Sequence, residues 1–312
     1  MISNVYTSGV VWFYKRILSS YKPECIVLAN DHTFITKPLV LLCEKYDIPC
    51  IYVQHASVSH AFPELRFSHS FLDGEDSLRK YTSKGKNSIG NIILWGAARY
   101  DNLSKYRVNR VKYQRKCIGI SLNKVDDNVI SDRLCEDLLH YFPDWTIKIR
   151  THPSMKESPL TFTEKKRIIY TCATDESIID YLDSIDVHIS NDSGVHLDAI
   201  LGGVRSIAFN MSRYPYGDNY EYVKNGLIRL VENVEQLCEF IKDENYLSTS
   251  VETVRQYDES YGKEYEGNCQ NIIAQFILNG IDLMWLKENY NIMKGSLNNI
   301  DYYYVSNNMT KI

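Results

Sequence analysis

Short apolar runs alternate with stretches of helical spacing along most of this chain. Residues 24–30 (ECIVLAN) form an apolar run between Pro23 and the polar pair Asn30-Asp31, and residues 36–46 place Leu39, Leu42, Cys43 and Tyr46 at helical spacing. A buried strand is predicted at 49–55, a short one at 70–72, a helix at 75–83 closed by Gly85, and a strand at 91–96. This β-α-β alternation predicts a parallel sheet with helices on its faces.

The pattern then restarts. Strands are predicted at 116–122, 146–152, 167–171, 186–190, 204–209 and 227–231, with helices at 131–141, 176–184, 194–201 and 234–242. The fold class expected is α/β: two Rossmann-like domains facing across a cleft, with ligand held outside the carboxyl ends of the strands. The expected boundaries are 1–110 for a short first domain, 111–260 for the second, and 261–312 for a C-terminal helical segment and tail. Residues 272–288 read as one long core helix, and 289–312 are rich in Asn and Tyr without a clear period.

Composition narrows the class. The chain has 312 residues, which at about 150 per domain suggests two. Apolar residues at 44% and charged residues at 24% exclude wholesale disorder. Lys+Arg minus Asp+Glu is 35 − 39 = −4, which excludes a globally basic nucleic-acid binder. No run approaches about 18 apolar residues, so no membrane span is expected. The eight cysteines form no C-x-x-C and read as reduced thiols of a cytoplasmic protein. From Arg79 to Lys116 there are eleven Lys or Arg and one acidic residue, Asp101. That stretch is either a solvated face and linker or an attraction for an anionic membrane surface or acceptor, peripheral on the inner face of the membrane.

Candidate chemistry lies at strand ends. Arg150-Thr-His152-Pro153 closes the strand at 146–152, and Pro153 holds His152 in extended backbone. Asp192, Ser193 and Gly194 link the strand at 186–190 to the next helix, where N-cap residues and an anion belong. Asp198 lies one helical turn further, placed for ribose hydroxyls; a well-capped helix is the plainer alternative. His55 ends the strand at 49–55 and is a candidate general base toward an acceptor hydroxyl. Asp73, in Leu72-Asp-Gly-Glu75, is the rival base. His188 sits mid-strand and reads as core. No G-x-G-x-x-G, Walker loop or Asp-x-Asp is present, so no metal and no cofactor is expected.

In this order the motifs resemble the GT-B transferases of bacterial surface-polysaccharide synthesis, above all the CDP-glycerol glycerophosphotransferases, with capsular Kdo transferases and sialyltransferases as further look-alikes. Gln54-His55-Ala56 is similar to a strand-ending H-G, with Ala for Gly. Arg150-Thr-His-Pro153 is similar to an R-x-H-P strand end. Asn191-Asp-Ser-Gly-Val-His-Leu-Asp198 is similar to D-x-S-S-x-x-x-D, with Asn191 and Gly194 departing from it. The resemblance implies a metal-independent transferase that moves a glycosyl or alditol-phosphate unit from a cytidine nucleotide to a glycan or lipid-linked acceptor of capsule, lipopolysaccharide or teichoic type. It implies that His152 and Arg150-Pro153, with Asp192, Ser193 and Gly194, hold the donor phosphate, that Asp198 holds the ribose, and that His55 or Asp73 is the base. The alternatives are a UDP-sugar transferase or 2-epimerase of the same fold, and a non-catalytic GT-B-like partner subunit.

Overall fold

The computed structural model describes residues 2–30, 33–83, 85–110, 114–155, 166–243 and 249–306, without the side chains of 2–7. In chain order the elements are α1 (Ile2–Tyr21), β1 (Ile26–Leu28), α2 (Thr36–Tyr46), β2 (Cys50–Val53), β3 (Arg66–Leu72), α3 (Glu75–Tyr81) and β4 (Ile89–Leu94). Next come α4 (Asp101–Asn109), β5 (Cys117–Leu122), α5 (Asn128–Tyr141), β6 (Thr146–Thr151), β7 (Ile168–Cys172), α6 (Ile178–Asp183) and β8 (Val187–Ser190). Then follow α7 (Val195–Leu201), β9 (Arg205–Phe209), β10 (Arg229–Val231), α8 (Val234–Lys242) and α9 (Val251–Arg255). The chain closes with α10 (Cys269–Leu278), α11 (Leu283–Asn289), β11 (Ile292–Leu297) and β12 (Ile300–Val305). The chain divides into two α/β units, one of residues 1–101 with 255–312, the other of 102–254.

The second unit carries a sheet in the order β10-β9-β8-β5-β6-β7, every pairing parallel. Numbered within the unit, that is 6-5-4-1-2-3, a Rossmann order whose switch point falls between β5 and β8. All six residues of β5 are buried, which explains its continuous apolar run. Leu134, Leu138 and Leu139 of α5 and Leu237, Phe240 and Ile241 of α8 cover one face. Two caps start these helices. Asp127 accepts from Val129 and Ile130 N–H, and Asn233 accepts from Gln236 N–H.

The first unit has a sheet in the order β1-β2-β3-β4-β12-β11. Its first four strands rise one after another in parallel, as the sequence pattern predicts. The separate C-terminal segment expected from residue 261 on is absent: β12 pairs in parallel with β4, Tyr303 opposite Ile93, and so completes the first sheet. Within 289–312, expected to be aperiodic, residues 292–305 form the β11–β12 hairpin. Its turn is Asn298-Asn299 with φ of +53° and +64°, a left-handed pair that Asn tolerates. The single helix expected at 272–288 is two. Gly280 takes φ +85°, and the Asp282 carboxylate then accepts from Met284 N–H to start α11. Apolar residues of α10 and α11 join one core cluster with Ile51, Phe71 and Ile93.

Candidate functional site

At the carboxyl end of β8 the turn Asn191–Gly194 sits at the switch point of the second sheet, held by three neighbours. From the loop after β5, Asn123 Nδ2 donates to Asp192 O at 3.1 Å, and Asp126 Oδ1 accepts from Asn191 Nδ2 at 2.9 Å. From the loop after β9, Asn219 N–H donates to Asp192 Oδ2 at 2.7 Å, and its side-chain amide donates to the same oxygen at 2.5 Å. From beneath, His196 on α7 donates to Asn191 O at 2.8 Å. The turn is thus fixed before any ligand arrives.

Its residues behave unequally. Gly194 is the N-cap of α7 with no side-chain cap, and an added Cβ would meet nothing within 4 Å. Ser193 Oγ accepts from Val195 N–H at 3.3 Å. Asp192 was expected to cap the helix, and this is corrected: Asn219 claims its Oδ2, while Oδ1 is buried without a partner. Tyr216, in the same loop, has a buried and unpartnered hydroxyl; burial, with the Asp192 and Asp218 charges adding to it, pushes this phenol up. Burial also raises Tyr220, again with Asp192 adding, and Tyr220 stacks on Tyr222 at 5.3 Å between centroids. Asp198 is half-buried on the first turn of α7.

His152 and Pro153 lie exposed at the carboxyl end of β6, on the same edge of the sheet and two strands from the turn. The Ser154 N–H donates to His152 Nδ1 at 3.2 Å, so a neutral ring carries its proton on Nε2. Arg150 lies within β6 and is buried. Its guanidinium donates to Glu176 O at 3.1 Å and lies over the Tyr181 ring at 5.4 Å. The edge therefore brings His152 and Asp192–Asp198 to one end of the sheet, while Arg150 is committed to the sheet's interior.

In the first unit, His55 is exposed just beyond β2. Asp73, just beyond β3, is 3% exposed and heavily engaged. Its Oδ2 accepts from Gln54 Nε2 at 2.8 Å and from Arg99, and its N–H donates to Gln54 Oε1 at 3.1 Å. Burial pushes its carboxyl up to about 7, against the pull of Arg99 and with a push from Asp258. Asp258 binds Ala97 and Ser260 through Oδ1, and burial raises it too. Gly74 and Gly96 lie where the returning chain crosses: a Cβ would come within 2.5 Å of Gln256 O and of Ser260 Cβ respectively.

The basic stretch from Arg79 to Lys116 is mostly spent within the fold; Lys84 and Lys112 lie outside the described residues. Arg79 and the fully buried Lys80 both bind Asp76, Arg99 binds Asp73, and Arg115 binds Asp183. Arg110 donates to the carbonyls of Gly203, Leu182 and Ile185. No helix among the described residues is long and apolar enough to cross a membrane. A cavity of about 1250 Å³ opens at the other end of the second sheet, beside Asp186, Arg205 and Lys242. Arg205 there is consumed by the carbonyls of Phe240, Ile241 and Asp243 at the end of α8, and the strand-end residues above are not among its lining.

No protein-family model matches this sequence. No curated protein matches it at a significant level either. Solved structures do match. A Listeria monocytogenes protein assigned as a UDP-N-acetylglucosamine 2-epimerase aligns over 88% of this chain and 80% of its own, at 15% identity and a TM-score of 0.60. The fold is GT-B. UDP-GlcNAc 2-epimerase from Neisseria meningitidis, solved bound to UDP-GlcNAc, covers 89% of this chain and 82% of its own at 17% identity and TM-score 0.57. The wall teichoic acid polymerase TagF, solved with CDPG, covers 83% and 72% at 14% identity and TM-score 0.53. At such identities these GT-B neighbours establish two Rossmann-like units and no particular chemistry.

Sequence reasoning missed Gln54 and Arg99, which hold Asp73 in the first unit, and Asp126, Asn219 and His196, which hold the Asn191–Gly194 turn in the second. Asn219 had a signal, since Gly217-Asp-Asn-Tyr220 stands out as turn chemistry after a strand. Asp126-Asp127 before a helical run had one as well. Gln54 and Arg99 had none, because their meaning lies in a partner elsewhere in the chain.

Proposed function

We propose that this chain is a nucleotide-sugar-dependent GT-B transferase, which moves a glycosyl or alditol-phosphate unit from a cytidine nucleotide to a surface-polysaccharide acceptor. The observation that carries it is the pre-organised turn Asn191–Gly194 at the switch point, open above Gly194, with His152 on the same edge. Backbone N–H groups beyond Gly194 and the Nε2–H of His152 supply donors for phosphate oxygens. Asp198 holds ribose hydroxyls. His55 takes the acceptor proton; Asp73 is the weaker candidate, since its carboxylate is buried against Arg99 and Gln54. The leaving nucleotide phosphate is stabilised by donors already in place, the arrangement that favours a charge developing there.

The cytidine preference rests on the similarity of the R-x-H-P and D-x-S-S-like segments to the teichoic enzymes, and on the likeness to TagF. A UDP-sugar 2-epimerase is the second reading, favoured by the epimerases among the solved neighbours. A thermal-shift panel with CMP, CDP, UDP and GDP separates them. A ligand at 100 times its Kd stabilises by about 2.7 kcal/mol. Shifts with CMP or CDP alone support the transferase, a shift with UDP alone supports the epimerase, and no shift with any of the four sinks both.

A further inference from the structure

Beneath the turn lies a buried row of polar groups that crosses three strands. His196 Nε2 is 2.8 Å from Asn191 O, and His196 Nδ1 is 2.7 Å from Ser206 Oγ. Ser206 Oγ is 2.8 Å from His188 Nδ1, and His188 Nε2 is 3.0 Å from Ser121 Oγ. The row ends at Ser121, whose hydroxyl also points toward the Tyr181 oxygen in a longer contact of 3.3 Å. Both histidines are fully buried, their rings 5.2 Å apart, and Asn191, Ser206 and Ser121 are buried with them.

The row has one proton order. A backbone carbonyl only accepts, so His196 must carry its proton on Nε2. Nδ1 of that neutral ring then accepts from the Ser206 hydroxyl. Ser206 Oγ accepts from His188 Nδ1–H, and His188 Nε2 accepts from Ser121. Reversing any link leaves two donors or two acceptors face to face among fully buried groups, where an unmet polar group is expensive. The order is therefore set from one end, by the carbonyl of the residue that precedes Asp192.

Resting on the proposed nucleotide site, we infer that His196 is a positioning residue for the donor: through Asn191 O, and backed by Ser206 and His188, it fixes the Asn191–Gly194 turn in its ligand-ready form. It touches no ligand itself. Asn191 passes the constraint on, because its side-chain oxygen accepts from Asp192 N–H at 2.9 Å while its amide donates to Asp126. Asp192 is then gripped by Asn219.

The test compares His196→Phe with His196→Gln. Phe keeps an aromatic ring and removes both hydrogen bonds; Gln restores one donor and one acceptor. Amide hydrogen exchange at 191–194 is measured without ligand, and Kd for CMP and UDP is measured at a temperature where all variants are folded. Expected are at least tenfold faster exchange and about tenfold weaker nucleotide binding in the Phe variant, with both restored by Gln. Imidazole nitrogen spectra of the wild type should show His196 protonated at Nε2 and His188 at Nδ1. The opposite tautomers, or an unchanged exchange rate in the Phe variant, overturn the inference. Faster exchange in a protein whose wild type binds no nucleotide leaves the positioning standing and removes the nucleotide site instead. If His196→Phe does not fold, Ser206→Ala, which cuts the row one link further back, is read by the same exchange measurement, and an unchanged rate there is equally fatal.

Discussion

Asn219 grips Asp192 by a single carboxylate oxygen, giving it both a backbone N–H at 2.7 Å and a side-chain amide. The loop after β9 is thereby tied to the turn after β8. Asn219→Ala removes one of the two bonds at an exposed position. The expected loss is about 1 kcal/mol, or a Tm lower by about 2–4 °C. Asn219→Asp sets two carboxylates together and costs more, with recovery once the solution is acid enough to protonate one of them. Calorimetry at two pH values checks both, and an Asp variant as stable as the wild type at neutral pH contradicts the tie.

Gly194 has helical backbone, φ −59° and ψ −24°, and open space where a Cβ would stand. Nothing in the fold requires glycine there. Gly194→Ala is therefore expected to leave Tm within about 1–2 °C of the wild type, since the Ala and Gly preferences differ by at most about 1 kcal/mol. Nucleotide affinity, measured by calorimetric titration, should fall about tenfold because the methyl occupies ligand space. Unchanged affinity moves the ligand away from this turn.

His152→Ala should weaken CMP or CDP by about tenfold to a hundredfold, the value of one charge-assisted hydrogen bond, and leave cytidine nearly unaffected. Asp198→Ala should weaken nucleoside and nucleotide alike. Equal losses for cytidine and CMP on removing His152 would take that imidazole off the phosphate.

His55→Ala is expected to lower turnover while nucleotide Kd stays nearly constant. Asp73→Asn is expected to act on stability first, because it removes the anion that Arg99 and Gln54 surround. Normal turnover in the His55 variant, together with a folded but inactive Asp73 variant, transfers the role of base to Asp73.

Burial holds His196 at about 4 and His188 well below its ordinary value, while both titrate near 6.5 in the unfolded chain. Below pH 6.5 the unfolded state thus binds more protons, so this contribution is full above pH 6.5 and is lost as pH falls toward 4. For His196 alone it is on the order of 3 kcal/mol across that window. Asp73 has the opposite sign: its raised pKa favours the fold below about pH 4, and this is lost as pH rises through about 7. The two groups lie in different units, so the His196→Gln variant isolates the first. The urea midpoint of the wild type should fall relative to that of the variant as pH drops from 7 to 4.5; parallel profiles would mean that His196 titrates normally.

The sequence by itself determined the α/β alternation and most element positions, down to α2 at Thr36–Tyr46 and α8 at Val234–Lys242. Those signals are local: a buried parallel strand needs an unbroken apolar run, and a helix on its face needs a 3.6-residue period. It also brought His152, Asp192–Asp198, His55 and Asp73 to strand ends, since polar residues that close an apolar run emerge at the sheet's edge. Only the tertiary structure decided what those side chains are free to do. Asp73 and Asp192 look alike in sequence, each a carboxylate just after a strand and within two residues of a glycine. One is buried under Arg99 and Gln54, and the other is divided between Asn219 and an unmet oxygen. The β11–β12 hairpin joined the first sheet because β4 offered an open edge, a fact set by chain segments about 200 residues apart. Contacts at that separation leave no trace in periodicity, and so the partners that fix the site had to be seen in the fold.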